Sequence, residues 1–367
     1  MHNVTIYQEE GRFAGWPANY GIWSWGDEIV VGFTLGHQNP EGGFHARDKS
    51  KPFVATQARS LDGGESWQLE GTPWPTPGNR GVLSADEHVV VDLSAAQAIE
   101  MGLENLPGSC PGDVDFTHPD FAMMSARTGL GTGTIGWFYF SIDRCRSWQG
   151  PYSLPMFGEA GIEARTDYLV SGPKEMTIFL SAAGIAGKEG AGIFAARTSD
   201  GGQSFERISW VTQLEKGYVI MPSSIRLSPS RILTSVRCRS EGTDLEPSRC
   251  WIDLYVSDDN GATFSFLSTP TANTGRGGNP PALIQLGDGR ICLTYGYRDD
   301  PCGMRAVVSD DGGASWGAEI VLRDDAGNHD LGYPRTVQRS DGSIVSIYYY
   351  NDLAEGDRYL AATIWEA

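Results

Sequence analysis

Short apolar runs separated by polar turns recur along the chain, and they come in pairs. "GIWSWGDEIVVGF", "DYLVSGPKEMTIFLSAAG", "SIRLSPSRILTSVR", "ALIQLGDGRICLTYGYR" and "TVQRSDGSIVSIYYY" each set an apolar run, a Gly/Asp or Ser/Pro turn and a second apolar run in succession. Runs of this length, rich in β-branched and aromatic residues, predict antiparallel hairpins. One stretch breaks the rhythm. Over about residues 70–120, "GTPWPTPGNRGVL", a short helical pattern in "LSAAQAIEMGLEN" and "PGSCPGDVDFTHPDF" read as an insertion.

A second pattern overlies the first. "ARSLDGGESW" contains an octapeptide with counterparts at "SIDRCRSW", "TSDGGQSF", "SDDNGATF" and "SDDGGASW". Each follows a strand-like run, and each part suits a turn between strands. The Asp accepts backbone N–H groups of its own turn, the Gly takes positive φ, and the terminal aromatic packs between layers. Asp62, Asp143, Asp200, Asp259 and Asp311 lie 81, 57, 59 and 52 residues apart, a period that fits one four-stranded sheet of a propeller. The prediction is an all-β chain whose residues 1–367 form a single domain, a six-bladed β-propeller. In the second copy Cys145 stands where the others have Gly, so distortion of that turn is expected. No Glu occupies the twelfth position of "SDDNGATF" as a calcium-binding EF-hand loop requires, which argues against that alternative.

The octapeptides resemble the Asp-box, or BNR repeat, of the sialidase (neuraminidase) superfamily, whose members are six-bladed propellers. The resemblance implies a sialidase-like exo-glycoside hydrolase that cleaves a terminal acidic sugar, sialic acid or a relative, with a Tyr nucleophile and an Asp acid/base. An Asp shortly before the first Asp-box is the acid/base of that family, and "HARDKSKPFVATQARSLDGG" offers Asp48. The nucleophile near the C-terminal blade resembles Tyr333 in "LGYPRTVQRSDGS". A neutral phenol can approach a sugar whose own carboxylate would repel an anionic nucleophile. Of the three arginines that hold the substrate carboxylate, the second resembles Arg237, with Arg239 its near alternative, and the third resembles Arg305 in "CGMRAVVS".

Two parts of that pattern are absent. Gly15 and Trp16 stand where the first arginine and its neighbour belong, and "VIMPSS" has no acid where the Glu that activates the Tyr belongs. Glu163 and Arg165, in "GIEARTDYLV" at another inner-strand start, are the nearest replacements, with Arg12 and Arg335 further candidates. Inner-strand starts line a propeller's funnel. They read "GWPANY", "EARTDY", "MPSS", "GGNPPA" and "GYPR", which adds Asn279 and the aromatic residues Trp16, Tyr20, Trp23 and Trp25 as sugar contacts. Two other readings fit the same funnel: a propeller lyase or another glycosidase with His45 or His118 as base, and a non-catalytic carbohydrate-binding propeller.

Composition narrows the partners. The net charge of −18 argues against nucleic acid, and it requires an acidic sugar to find clustered cations locally. No apolar run is long enough to span a membrane, and no basic start followed by an apolar core opens the chain. The partner that the resemblance implies is a carbohydrate. No cofactor is expected. Asp115, His118 and Asp120 in "DVDFTHPD" read as a hydrogen-bonded surface loop rather than a metal site. Of the six cysteines, Cys238 and Cys250 are the one pair placed to meet across a hairpin, and the rest read as thiols.

Overall fold

In the computed structural model, residues 1–48, 50–51, 53–71, 107–183, 190–242 and 247–367 are described. The 72–106 part of the expected insertion, with its helical pattern, lies outside them. The strands form six sheets around a ring, and the chain is a six-bladed β-propeller.

Blade 1 pairs Glu28–His37 with Val54–Ser60 and Gln68–Leu69, and its innermost strand is split into Arg12–Gly15 and Gly21–Trp25. The single turn of helix Pro17–Tyr20 fills that break. Blade 2 contains Ala122–Arg127, Gly136–Ser141 and Gln149–Ser153. Blade 3 has a split inner strand as well, Ile162–Glu163 and Tyr168–Val170, both on Met176–Ala182, followed by Gly192–Thr198 and Glu206–Gln213. Blade 4 runs Tyr218–Arg226, Ile232–Arg239, Cys250–Ser257, Ser265–Thr271, and blade 5 runs Ala282–Gln285, Ile291–Tyr297, Gly303–Ser309, Ile320–Arg323. Blade 6 is Gly332–Gln338, Ile344–Tyr350 and Tyr359–Trp365, and the N-terminal strand His2–Tyr7 supplies its outer edge. Pairing the two ends of the chain in one sheet closes the ring.

The five octapeptides turn between the last two strands of blades 1 to 5. Their hydrogen bonding is the same each time. In the fifth, Ser309 Oγ donates to Asp311 Oδ1 at 2.8 Å and accepts the Gly313 N–H at 2.9 Å, while Asp311 accepts the N–H and hydroxyl of Ser315. The second copy keeps this set, with Cys145 N–H on Ser141 Oγ at 2.9 Å. Cys145 takes the glycine conformation itself, at φ 62°, so the expected distortion does not occur. The neighbouring blade 1 bonds to this turn: Gln57 donates to the Cys145 carbonyl and Arg59 to that of Arg144.

Each terminal aromatic joins its blade to the one before. Trp148 meets Trp23 of blade 1 at 5.3 Å, Phe205 meets Phe138 of blade 2 at 5.6 Å, and Phe264 meets Phe179 of blade 3 at 6.3 Å. Trp316 donates its indole N–H to Ser268 of blade 4, and Trp67 packs into the apolar layer formed with Val345 and Ile364 of blade 6. One short motif therefore specifies both a turn and an inter-blade contact, and its five copies lead around the ring. Tyr20 lies in the layer between blades 1 and 2, fully buried, with its hydroxyl on Thr34 at 2.6 Å. All six cysteines are free. Cys238 and Cys250 sit one register step apart, Cys238 opposite Trp251 and Cys250 opposite Arg239.

Candidate functional site

Three non-glycine residues at inner-strand starts adopt left-handed backbone: Trp16 at φ 58° in blade 1, Met221 at φ 57° in blade 4 and Tyr333 at φ 53° in blade 6. Such conformations cost about 1–3 kcal/mol each and concentrate where a fold holds side chains for a purpose. Here they converge. Trp16, Met221 and Tyr333 share one buried cluster with Phe13, Ala18, Phe53, Ile220 and Tyr349.

Tyr333 is held by its backbone first. Its N–H donates to Asn279 Oδ1 at 2.8 Å, and Asn279 Nδ2 donates to the Leu331 carbonyl at 3.0 Å. Glycine is required beside it: a Cβ on Gly332 would approach Asn279 Nδ2 to 2.3 Å, and one on Gly296 to 2.7 Å. The phenol ring then lies against two guanidinium groups, Arg237 at 5.7 Å and Arg298 at 5.5 Å from its centroid. Arg237 Nη1 donates to Tyr333 Oη at 3.2 Å. Both arginines are almost fully buried and are positioned by carbonyls, Arg237 by Gly277 and Arg298 by Gly278 and Leu331. This is a local concentration of positive charge within an acidic protein.

Behind Tyr333 lies a buried acid. Asp330 Oδ1 accepts His45 Nδ1 at 2.7 Å and the Tyr349 hydroxyl at 2.8 Å; Oδ2 accepts the Ala46 N–H at 2.9 Å and Arg358 Nε at 3.0 Å. Burial alone would raise the Asp330 carboxyl, but His45, Arg358 and the Ala46 N–H hold it well below the usual carboxylate range. Burial, and then the Asp330 charge, push the Tyr349 phenol well up, so it stays a donor. Arg298 completes the chain with a bond to the Tyr349 hydroxyl at 2.9 Å. His45 meets Trp16 edge-on at 5.1 Å and Tyr333 at 6.3 Å.

The residues singled out by sequence separate into groups. Tyr333, Arg237, Asn279 and Trp16 come together, all four buried. Arg239 stacks on Tyr218 and bonds to Ser248. Arg305 lies elsewhere in blade 5, over Tyr297, bonded to the Pro301 and Met304 carbonyls and paired with Glu319 at 3.3 Å. Arg298 stands beside Tyr333 where Arg305 was expected. Arg165 donates to Asn19 Oδ1 at 3.2 Å and pairs with Glu163 at 3.8 Å; Glu163 also accepts the Gly131 N–H. Arg335 reaches the Ala18 and Thr166 carbonyls, binding blades 6, 1 and 3 near the axis. Arg12 bonds to the Gly36 carbonyl within blade 1.

Asp48 shares the loop of His45. Its carboxylate accepts the Ser50 N–H at 2.9 Å and hydroxyl at 2.5 Å, and Lys51 lies 3.5 Å away. These donors lower its carboxyl, Ser50 first. Asp115 caps Thr117, His118 accepts the Asp120 N–H and Asp120 pairs with Arg144, as a surface loop does. No metal-binding cluster occurs among the described residues. No helix among them is long and apolar enough to cross a membrane. Arg298, Asp330, Tyr349 and Arg358 were not legible in the sequence, since their meeting depends on how blades 1, 5 and 6 are staggered around the axis.

No protein-family model matches the chain, and no curated protein matches it. Solved structures do. A protein of unknown function from Dyadobacter fermentans is 21% identical, with a TM-score of 0.73 over 99% of this chain and 97% of that one. A sialidase from Streptococcus pneumoniae is 11% identical, with a TM-score of 0.64 over 98% of this chain and 70% of that one. An α-L-arabinofuranosidase from Fusarium graminearum is 13% identical, with a TM-score of 0.59 over 99% and 98%. At these identities the likeness is one of fold.

Proposed function

We propose that the chain is a glycoside hydrolase that removes a terminal acidic sugar in its funnel, with Tyr333 as nucleophile. The observation that carries this reading is the Tyr333 phenol, clamped against Arg237 and Arg298 with its oxygen accepting an Arg237 N–H. A guanidinium on that oxygen stabilises the charge it takes on as its proton leaves. The same two cations attract a carboxylate-bearing sugar against the field of an acidic protein. The shared fold of a sialidase and an arabinofuranosidase supports glycoside hydrolysis as the reaction class.

Glu163 and Arg165 take a supporting part in this proposal, as a buried pair on the blade 3 side of the axis. Asp48 is the acid/base of this proposal from its place before the first octapeptide, with Ser50 bonded to its carboxylate. The test is hydrolysis of 4-methylumbelliferyl α-N-acetylneuraminide, α-L-arabinofuranoside and β-D-glucuronide by purified protein. Release from an acidic glycoside that Tyr333→Phe abolishes supports the reading. Release from the arabinofuranoside alone overturns the acidic-sugar assignment, and release from none overturns the activity.

A further inference from the structure

Residues 273–279 form the wall between Tyr333 and a second cavity. On the Tyr333 side the Gly277 carbonyl accepts Arg237, and Asn279 accepts the Tyr333 N–H. On the other side Asn273, Gly275 and Arg276 line a cavity of about 320 Å³, together with Arg249 and Cys250 of blade 4 and Asp299 of blade 5. The wall is thin. A Cβ on Gly278 would lie 3.0 Å from Cys250 Cβ and 3.4 Å from Arg237 Nε, so one glycine separates a cavity residue from a site residue.

The cavity is cationic. Arg249 and Arg276 are exposed, and each bonds through its backbone N–H, Arg249 to Ser240 Oγ at 2.9 Å and Arg276 to Asp299 Oδ1 at 3.0 Å. Among the described residues neither guanidinium has a hydrogen-bond or ion-pair partner. Asp299, the acid of the lining, is engaged on both oxygens, since Asn273 Nδ2 donates to Oδ2 at 3.1 Å. Arg276 and Arg298 lie over the same Phe44 ring, at 5.9 and 5.3 Å from its centroid, which joins the cavity's cations to those beside Tyr333. Arg237, Arg298, Arg276 and Arg249 thus run outward along the rim of blades 4 and 5 in a chain of net charge −18. A single acidic sugar against Tyr333 accounts for the first two. Planar guanidinium groups suit carboxylates, so the second two call for another anion. Beyond them a cavity of about 370 Å³ shares Arg249 and Ala272 with the first and is walled by Trp251. The indole N–H is bonded to Asp253 at 2.8 Å, which leaves the ring to meet the apolar face of a sugar.

We propose that the Arg249–Arg276 cavity is a subsite for a second acidic sugar, so that the preferred substrate is an oligosaccharide with carboxylates on adjacent residues, and that the Trp251 ring receives the sugar after it. This rests on the reading of the funnel as a site for a terminal acidic sugar. The subsite binds and makes no covalent change.

The test is titration calorimetry on Tyr333→Phe protein, which keeps the subsite and blocks turnover. The ligands are α-2,8-linked di-N-acetylneuraminic acid and digalacturonic acid, each against its own monomer, with maltose as the neutral control. One acidic disaccharide should bind about tenfold or more tighter than its monomer, the scale of a hydrogen bond to a charged group, and which one does distinguishes a sialic from a uronic chain. Arg249→Gln with Arg276→Gln should bring that ratio close to one, and the paired Lys substitutions should keep part of it. Trp251→Ala should remove the further gain of the trisaccharide over the disaccharide. Equal affinity for disaccharide and monomer in both series, or a ratio that survives loss of both arginines, overturns the subsite and leaves the funnel reading standing. No binding of any acidic sugar overturns the funnel reading and this inference with it.

Discussion

Asn279 Oδ1 accepts the backbone N–H of Tyr333 at 2.8 Å, so a blade 5 side chain fixes the left-handed backbone of a blade 6 residue. Asn279→Ala leaves that buried N–H without its partner, at a cost of about 1–3 kcal/mol, while the Leu331 carbonyl keeps Arg298. Urea denaturation should show a loss on that scale. Because the bond sets the phenol's geometry, kcat should fall more than KM changes.

Arg298 and Arg305 belong to one hairpin, but only Arg298 lies against Tyr333. Arg298→Met should weaken binding of free N-acetylneuraminic acid about tenfold or more, the scale of a lost hydrogen bond to a charged group. Arg305→Met should lower the melting temperature and leave that affinity alone. Titration calorimetry on both variants, with neutral arabinose as the control ligand, checks the contrast.

Ser309 tests the turn motif. Its hydroxyl is buried and accepts the Gly313 N–H, so Ser309→Ala strands a buried donor at a cost of about 1–3 kcal/mol. Loss of the turn should also loosen Trp316 from Ser268, visible as a shift in tryptophan fluorescence.

Asp167 gives the protein a stability slope opposite to that of most carboxylates. Burial pushes its carboxyl up to about 6, outweighing its bonds from Ser224 and the charge of Arg335. Since the unfolded chain releases this proton near pH 4, Asp167's contribution is complete below that and is lost as pH rises through about 6. Asp167→Asn should therefore gain in melting temperature relative to wild type between pH 4 and 7. A constant difference across that range would contradict the assignment.

The propeller was legible because its signals are local. Each octapeptide carries its own turn chemistry in eight residues, and hairpin pairs show as neighbouring apolar runs. Tyr333 and Asn279 were legible for a related reason, since they stand at inner-strand starts, while Arg237, on the second strand of blade 4, was legible only from the resemblance. Arg298 was not, because choosing between it and Arg305 requires knowing which strand position faces blade 6. His45 and Asp330 meet across 285 residues, and no spacing rule connects them. Asp48 drew attention by its place before the first octapeptide, whereas the loop carries His45, three residues earlier, to Asp330.

The central claim is that Tyr333 attacks a sugar in this funnel, and covalent trapping tests it most directly. The protein is incubated with 2,3-difluoro-N-acetylneuraminic acid, whose fluorine at C3 slows release from the enzyme, then digested and mapped by mass spectrometry. The account predicts one glycosylated peptide, modified on Tyr333 and absent from Tyr333→Phe. Modification of another residue, or an unmodified protein that still hydrolyses the aryl sialoside, would contradict it.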